Sequence, residues 1–347
     1  MPVLALAALG GSYGRPPGAW LAAGVFVLLV VSVFVAVHHA EVIALRVGEP
    51  FGTLVLALCV TVIEVSLIGS MMMGGGPDAA TLARDTVYAT VMLVCNGVVG
   101  LCLLVGGIRH RVPVFRVDGV GQALSALIPL AVLTLVLPSF TTTTRGPTYS
   151  SLQLEFIGAL SLALYGAFVF VQTVRHRDYF LPEGSSREED HATPPTSRVA
   201  VFSLLLLLLC LVAVVGLAKV LAPGIELAVD QMGAPAALVG VVIAMLVLMP
   251  ETWAAVRAAA SNRMQNSLNL ALGSALATIG LTVPAVAALA VLMGMPLELG
   301  LPPKETVLLA TTLLLSVVTL ATGRATVLHG AVHLVMFGAF LFLAAVP

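Results

Sequence analysis

Apolar stretches about as long as a bilayer is thick constrain this chain most. A helix that crosses hydrocarbon needs roughly twenty consecutive apolar residues, and such stretches recur along all 347 residues. Ten candidate spans can be drawn, at 19–38, 52–73, 86–107, 119–138, 152–174, 199–219, 235–257, 264–293, 305–321 and 326–346. Only 10% of the residues are charged, against about 25% in a soluble domain. The fold class is therefore an all-α polytopic membrane protein. A net charge of −1 offers nucleic acid nothing to bind. The four cysteines, Cys59, Cys95, Cys102 and Cys210, all fall inside apolar runs and form no CxxC pair, so neither a disulfide framework nor a zinc knuckle is expected. The opening "MPVLALAALG" lacks a basic start and reads as a disordered or interfacial lead over residues 1–18, not a cleaved signal.

One segment is strongly polar. "RHRDYFLPEGSSREEDHATPPTSR" carries both signs of charge and three prolines, too little apolar surface to fold alone. It reads as a linker over 175–198 between five spans (19–174) and five more (199–347). Its acids, Glu183, Glu188, Glu189 and Asp190, read as solvated. With the sides numbered alternately, one face holds Arg15, Arg84, Arg145, Lys219 and Lys304, and the other holds the remaining eleven basic residues. The basic face should be cytoplasmic. That puts the linker inside and both termini outside.

Five is odd, so the second half enters the bilayer from the opposite side. Similar halves would then form an inverted repeat, a common build for secondary transporters. "GEPFGTLVLALCVTVIEVSL" (48–67) and "GAPAALVGVVIAMLVLMPETW" (233–253) both open Gly-x-Pro and run through apolar residues to a lone glutamate. Pro50 to Glu64 is fourteen residues, and Pro235 to Glu251 is sixteen. Both acids sit in the second span of their half.

A carboxylate in the membrane interior costs a few kcal/mol and is a functional-site hypothesis by default. Burial favours its protonated form, and a nearby cation reverses that preference. Two such acids can hold protons or a metal ion in turn. Calcium takes six to eight oxygens. Glu64 and Glu251 would balance its charge, with hydroxyls, amides, carbonyls and water completing the shell. Pro250 offers its preceding helix no N–H, which frees the carbonyl of Leu246 and predicts a kink or break. Before Glu64 there is only a β-branched run, Val60–Ile63, with Gly69 beyond. Asn96 and Ser274, in the third span of each half, are further binding candidates. Thr61, Ser66, Thr252, Asn269 and Thr278 are secondary donors, and Asn266, Asn269, Ser274, Thr278 and Thr282 lie along one helix as further oxygen donors. Asn262, Asn266, Asn269, Gly273 and Gly280 recur at helical spacing, a polar and small face suited to close packing.

These stretches, with "VYATVMLVCNGVVGLCLL" (87–104) and "RMQNSLNLALGSALATIGLTVPAV" (263–286), resemble the α-repeats of the calcium/cation antiporter superfamily. The nearer resemblance is to its bacterial ChaA-like branch of calcium or sodium/proton antiporters. That resemblance covers most of the chain. It implies ten or eleven helices in two inverted repeats, alternating access in the inner cell membrane, and Glu64 and Glu251 as ligands of the exchanged ion. It implies inorganic cations and protons as partners and no resident cofactor. The plant and fungal exchangers read Gly-Asn-Ala before the glutamate. Here Thr61-Val62-Ile63 and Leu248-Met249-Pro250 stand instead, and calcium, sodium and potassium all remain open. His329 and His333, four apart on the last span, lack an HExxH acid and read as packing residues. His38 and His39 end the first span and read as interfacial. Met71–Met73 with Gly74–Gly76 reads as a span end and turn. No GxSxG, HExxH or Asp-rich diphosphate motif supports an intramembrane enzyme, and an accessory subunit would not need paired buried acids.

Overall fold

The computed structural model describes residues 2–12, 19–48, 51–73, 79–181, 195–231, 233, 235 and 237–346. Arg15, Pro50, Gly74–Gly76 and the acids of the polar linker lie outside the described residues. Among the described residues every long element is a helix, and one isolated bridge, Val114 to Arg324, joins two loops.

A short helix α1 (Pro2–Ser12) leads into α2 (Ala19–Val47) and α3 (Phe51–Met72). Then come α4 (Leu82–His110), α5 (Val117–Phe140) and α6 (Ser151–Arg175). The second half holds α7 (Ser197–Gln231), α8 (Ala237–Ala260), α9 (Met264–Met293), α10 (Pro303–Leu320) and α11 (Val327–Ala345). The ten spans anticipated from hydropathy are α2 to α11. Among the described residues nine are long and apolar enough to cross a membrane, and in α3 the apolar stretch is the shorter Ala57–Met72. Local signals set several ends. Ser150 and Gln153 close a capping box at the start of α6, and Thr326 accepts the His329 N–H at the start of α11. Gly294 ends α9 in the left-handed region, φ 64°, which glycine enters without a Cβ clash.

Four expectations need correction. The lead is not free: α1 is helical, Ala5 is buried, and Leu9 packs over Gly216 of α7. The first span does not stop at His38 and His39 but runs to Val47, because Ala40 to Val47 is still a good helix former. Pro250 does not break α8, which is helical from Ala237 to Ala260; apolar packing on both sides of the proline holds the helix across the lost hydrogen bond. The polar segment is not wholly a tether either. Its start forms a turn, Arg177–Phe180. There the Phe180 ring meets Phe168 edge-on, and its carbonyl accepts from Asn269 at 2.6 Å.

The spans pack with the symmetry of an inverted repeat. The first spans of the halves, α2 and α7, lie against each other. α4 packs against α11, and its counterpart α9 packs against α6. Two apolar cores result. One joins α1, α2, α7 and faces of α3 and α8; the other joins α4, α5, α6, α9, α10 and α11 with the other face of α8. Thus Val239, Ile243 and Leu246 of α8 belong to the first core, and Val241, Ala244 and Leu248 to the second.

Close helix contacts fall at glycines. A methyl group on Gly330 of α11 would run into the backbone of Leu104 on α4, whereas one on Gly338 meets nothing. Overpacking of this kind typically costs about 1–3 kcal/mol. Gly330→Ala should therefore lower the melting temperature of the purified protein, and Gly338→Ala should leave it unchanged, as read by thermal unfolding in detergent.

Candidate functional site

In an apolar bundle a hydroxyl ordinarily returns to its own helix. Ser32, Thr86, Thr134, Thr173, Thr311 and Ser316 do so, each donating to the carbonyl four residues back. Thr282 does not. Its Oγ1 donates across to Glu64 Oε2 at 2.7 Å. The side chains of Thr278 and Thr90 face the same carboxylate, and Thr90 Oγ1 is buried with no other partner. Glu64 is 2% exposed and Glu251 is 8% exposed. The two acids lie within electrostatic reach of each other, and Glu251 Oε2 has no hydrogen-bond partner. Glu64 of α3, Thr90 of α4, Glu251 of α8 and Thr278 and Thr282 of α9 thus meet at the seam between the cores.

The irregular backbone at this seam is not in the acid-bearing helices. α3 and α8 are continuous, while α4 and α9 each widen into a π-helical turn, Leu93–Val98 and Thr278–Thr282. Such turns leave carbonyls without regular partners and recur at functional sites. In α9 the cause is visible: Pro284 follows the turn and has no N–H to donate back into it. Each turn carries a glycine that a neighbouring helix covers. Tyr165 of α6 lies on Gly280, and Phe337 of α11 lies on Gly97. The counterpart helices of the repeat therefore play counterpart parts.

A cavity of about 330 Å³ leads to Glu251. Gln172, Asn266, Asn269, Ser274, Ala57 and Val60 are among the residues that line it. Gln172 ends α6 and Asn266 begins α9, so the cavity opens on the face that carries most of the basic residues. Ser274 is beside this path. Asn269 also lines it, with its amide held by Phe180 and its Oδ1 accepting from Gln265 at 2.9 Å. Thr61 is buried on α3, Ser66 and Thr252 are half-buried, and Leu246 and Pro250 are buried on α8. Cys59 lies within electrostatic reach of Glu251.

Asn96 is turned the other way. Its Nδ2 donates to Thr312 Oγ1 at 2.8 Å, and its Oδ1 lies 3.3 Å from His333 Nδ1. His333 Nε2 lies 2.8 Å from Thr319 Oγ1. Asn96 and His333 thus pin the π turn of α4 to α10 and α11, away from the carboxylates. Thr282 is among the oxygen donors that the sequence places along α9; Thr90 is not. Ser274, Thr278 and Thr282 share a four-residue spacing that ends just before Pro284, whereas nothing in the local spacing marks Thr90.

The sequence profile of the Sodium/calcium exchanger protein family matches residues 17–174 and 202–346. The chain belongs to that family. The matched segments divide at the polar segment between the halves of the exchanger. It is 51% identical to y4hA of Sinorhizobium fredii, over 92% of this chain and 87% of that protein. It is 38% identical to the sodium-potassium/proton antiporter ChaA of Escherichia coli, over 98% of this chain and 93% of that one. Its fold is also that of the solved H+/Ca2+ exchanger CAX, with a TM-score of 0.76 over 98% of this chain and 85% of that chain at 15% identity.

The described cysteines Cys59, Cys95, Cys102 and Cys210 are all buried, so introduced cysteines can report access. A cysteine at Ser274, on the cavity wall, should react with a membrane-impermeant thiol reagent added to the basic face. One at Thr90, 1% exposed, should stay unlabelled in the same resting protein, as read by a mass shift.

Proposed function

We propose that this exchanger is a cation/proton antiporter in which Glu64 and Glu251 bind either the cation or protons, with Ca2+/H+ exchange as the leading reading. The observation that carries it is the pairing of two interior carboxylates, one held by Thr282 and the other with a free oxygen on a cavity open to one face. Two ionised glutamates match the charge of one calcium ion. Thr90, Thr278, Thr282, Ser274, the Leu246 carbonyl and water are hard oxygen donors of the kind that ion takes. Among the described residues no three His, Cys, Asp or Glu side chains converge, so the remaining ligands must come from such neutral oxygens.

Exchange then follows from competition. Protonation of the acids releases the cation, and cation binding displaces the protons. The cavity faces the basic side, which the five-to-eleven split of Lys and Arg makes cytoplasmic. Both termini then lie outside and residues 175–198 inside. The reaction needs no resident cofactor and makes or breaks no covalent bond. A second reading, Na+/H+ or K+/H+ exchange on the same acids, is favoured by the 38% identity to ChaA.

Glu64→Gln and Glu251→Gln should each abolish cation/proton exchange in proteoliposomes loaded with a pH dye, with the proteins still folded and inserted. The amide keeps the size but cannot balance cation charge or exchange a proton. Wild-type exchange in Glu251→Gln would refute the mechanism. A panel of Ca2+, Na+ and K+ decides between the readings, and normal behaviour of Glu64→Gln alone would select a monovalent ion.

Thr282→Val removes the donor to Glu64. A hydrogen bond to a charged group is worth about 1.5–3 kcal/mol, so half-maximal exchange should require about 10- to 100-fold more cation. Pro250→Ala should be milder, because it only restores a donor to the Leu246 carbonyl. Orientation is read separately: a reporter at the C-terminus should be active outside the cytoplasm, and one inserted within 183–196 should be active inside it.

A further inference from the structure

We propose that the face opposite the Glu251 cavity holds a second site, for a small inorganic cation, built by Tyr88 and Asp85 of α4 and Glu305 of α10. The geometry begins with a partly open pocket of about 70 Å³ between the starts of α4, α8 and α10 and the end of α11. A water molecule occupies about 30 Å³ of liquid, so the space fits an ion with one or two waters. The Tyr88 ring is 6% exposed and packs edge-on against Phe340, centroids 5.5 Å apart. That contact fixes its hydroxyl at the cavity wall, where it is buried and has no hydrogen-bond partner. Glu305 lies within electrostatic reach of both Tyr88 and Asp85, and its Oε2 is likewise buried without a partner.

The cations already present are committed. Arg84 Nε donates to Asp85 Oδ1 at 2.8 Å, and its Nη1 lies 3.9 Å from Glu298. Lys304 Nζ donates to the Leu343 carbonyl at 2.9 Å and lies 3.3 Å from Glu305 Oε1. Among the described residues the ion-paired group therefore contains three carboxylates, Asp85, Glu298 and Glu305, and two bases, Arg84 and Lys304. One negative charge is left over, beside a carboxylate oxygen and a phenol oxygen with nothing to bind. A cation there restores neutrality and satisfies both atoms. Asp85 and Glu305 also stand in the first turns of α4 and α10, whose positive ends partly offset their charge. The affinity is accordingly weak, on the order of millimolar as in loosely built extracellular calcium sites. Occupancy would tie the start of α4 to α10. That is the stretch on which α8 leans, since a Cβ at Gly240 would lie 2.8 Å from the backbone of Asp85 and Thr86.

Terbium, a calcium-sized ion whose luminescence a nearby tyrosine excites, is the probe. The protein carries Glu64→Gln and Glu251→Gln so that the interior acids are silent, whatever ion they exchange. Ultraviolet-excited terbium emission should appear in this purified double variant and be displaced on titration with Ca2+, Na+ or K+. Adding Glu305→Gln, which keeps the tyrosine, should reduce the emission to the buffer level. Tyr88→Phe should do the same while preserving the stack on Phe340. Should Glu305→Gln aggregate on size exclusion, Glu305→Asp takes its place and should shift half-maximal emission to higher terbium. Absence of emission in the double variant, or its survival in the Glu305 or Tyr88 variant, overturns the proposal.

Discussion

Everything in this molecule is arranged around two carboxylates that have left water. A charged group at the centre of a bilayer is expensive, and a hydrogen bond to a charged group returns about 1.5–3 kcal/mol of that cost. Thr282 supplies one such bond to Glu64, and Glu251 is left with an oxygen unserved. The imbalance is itself informative. A site built only for stability would satisfy both acids within the protein, whereas one Glu251 oxygen beside the cavity has no partner among the described residues.

The surroundings follow from that requirement. Glu64 and Glu251 ride on unbroken helices, so their positions are fixed by long, stiff elements. The loosened backbone is displaced to the helices that face them, α4 and α9, where widened turns leave carbonyls at the same depth. Those turns are held from behind by α11 and α6 through glycine contacts and, in α4, by the Asn96–His333 pair. The acids therefore stand at a seam between two apolar cores. Packing within each core is dense, and α8 contributes one face to each.

Much of this was legible in the chain. Ten apolar stretches, an odd number of spans on each side of one polar segment, and a lone glutamate in matching places announced the architecture and the acids. Side-chain partners were less legible, for physical reasons. A threonine in a membrane helix usually bonds its own backbone, and sequence alone does not mark the one that reaches across. Asn96, polar amid apolar neighbours, reads in sequence as either a ligand or a helix-to-helix contact, and its neighbours Thr312 and His333 come from far along the chain. The proline before Glu251 was overweighted, since packing on both sides carries a helix across one missing hydrogen bond. The proline after Thr282 was underweighted, although it sits beside the turn that matters.

The pairing of α2 with α7 has one more consequence. These two helices are 29 and 35 residues long. In the most apolar window of each, only 33% and 28% of residues are buried, against 72% in α4. Their outward faces, with Leu204, Leu205, Leu208 and Val212 exposed on α7, meet acyl chains and not protein. Sliding this pair past the rest breaks few protein contacts on that side, since one lipid tail replaces another at nearly equal free energy. Any displacement of this pair would be borne by lipid, so the viscosity and thickness of the bilayer would enter the cost of moving it.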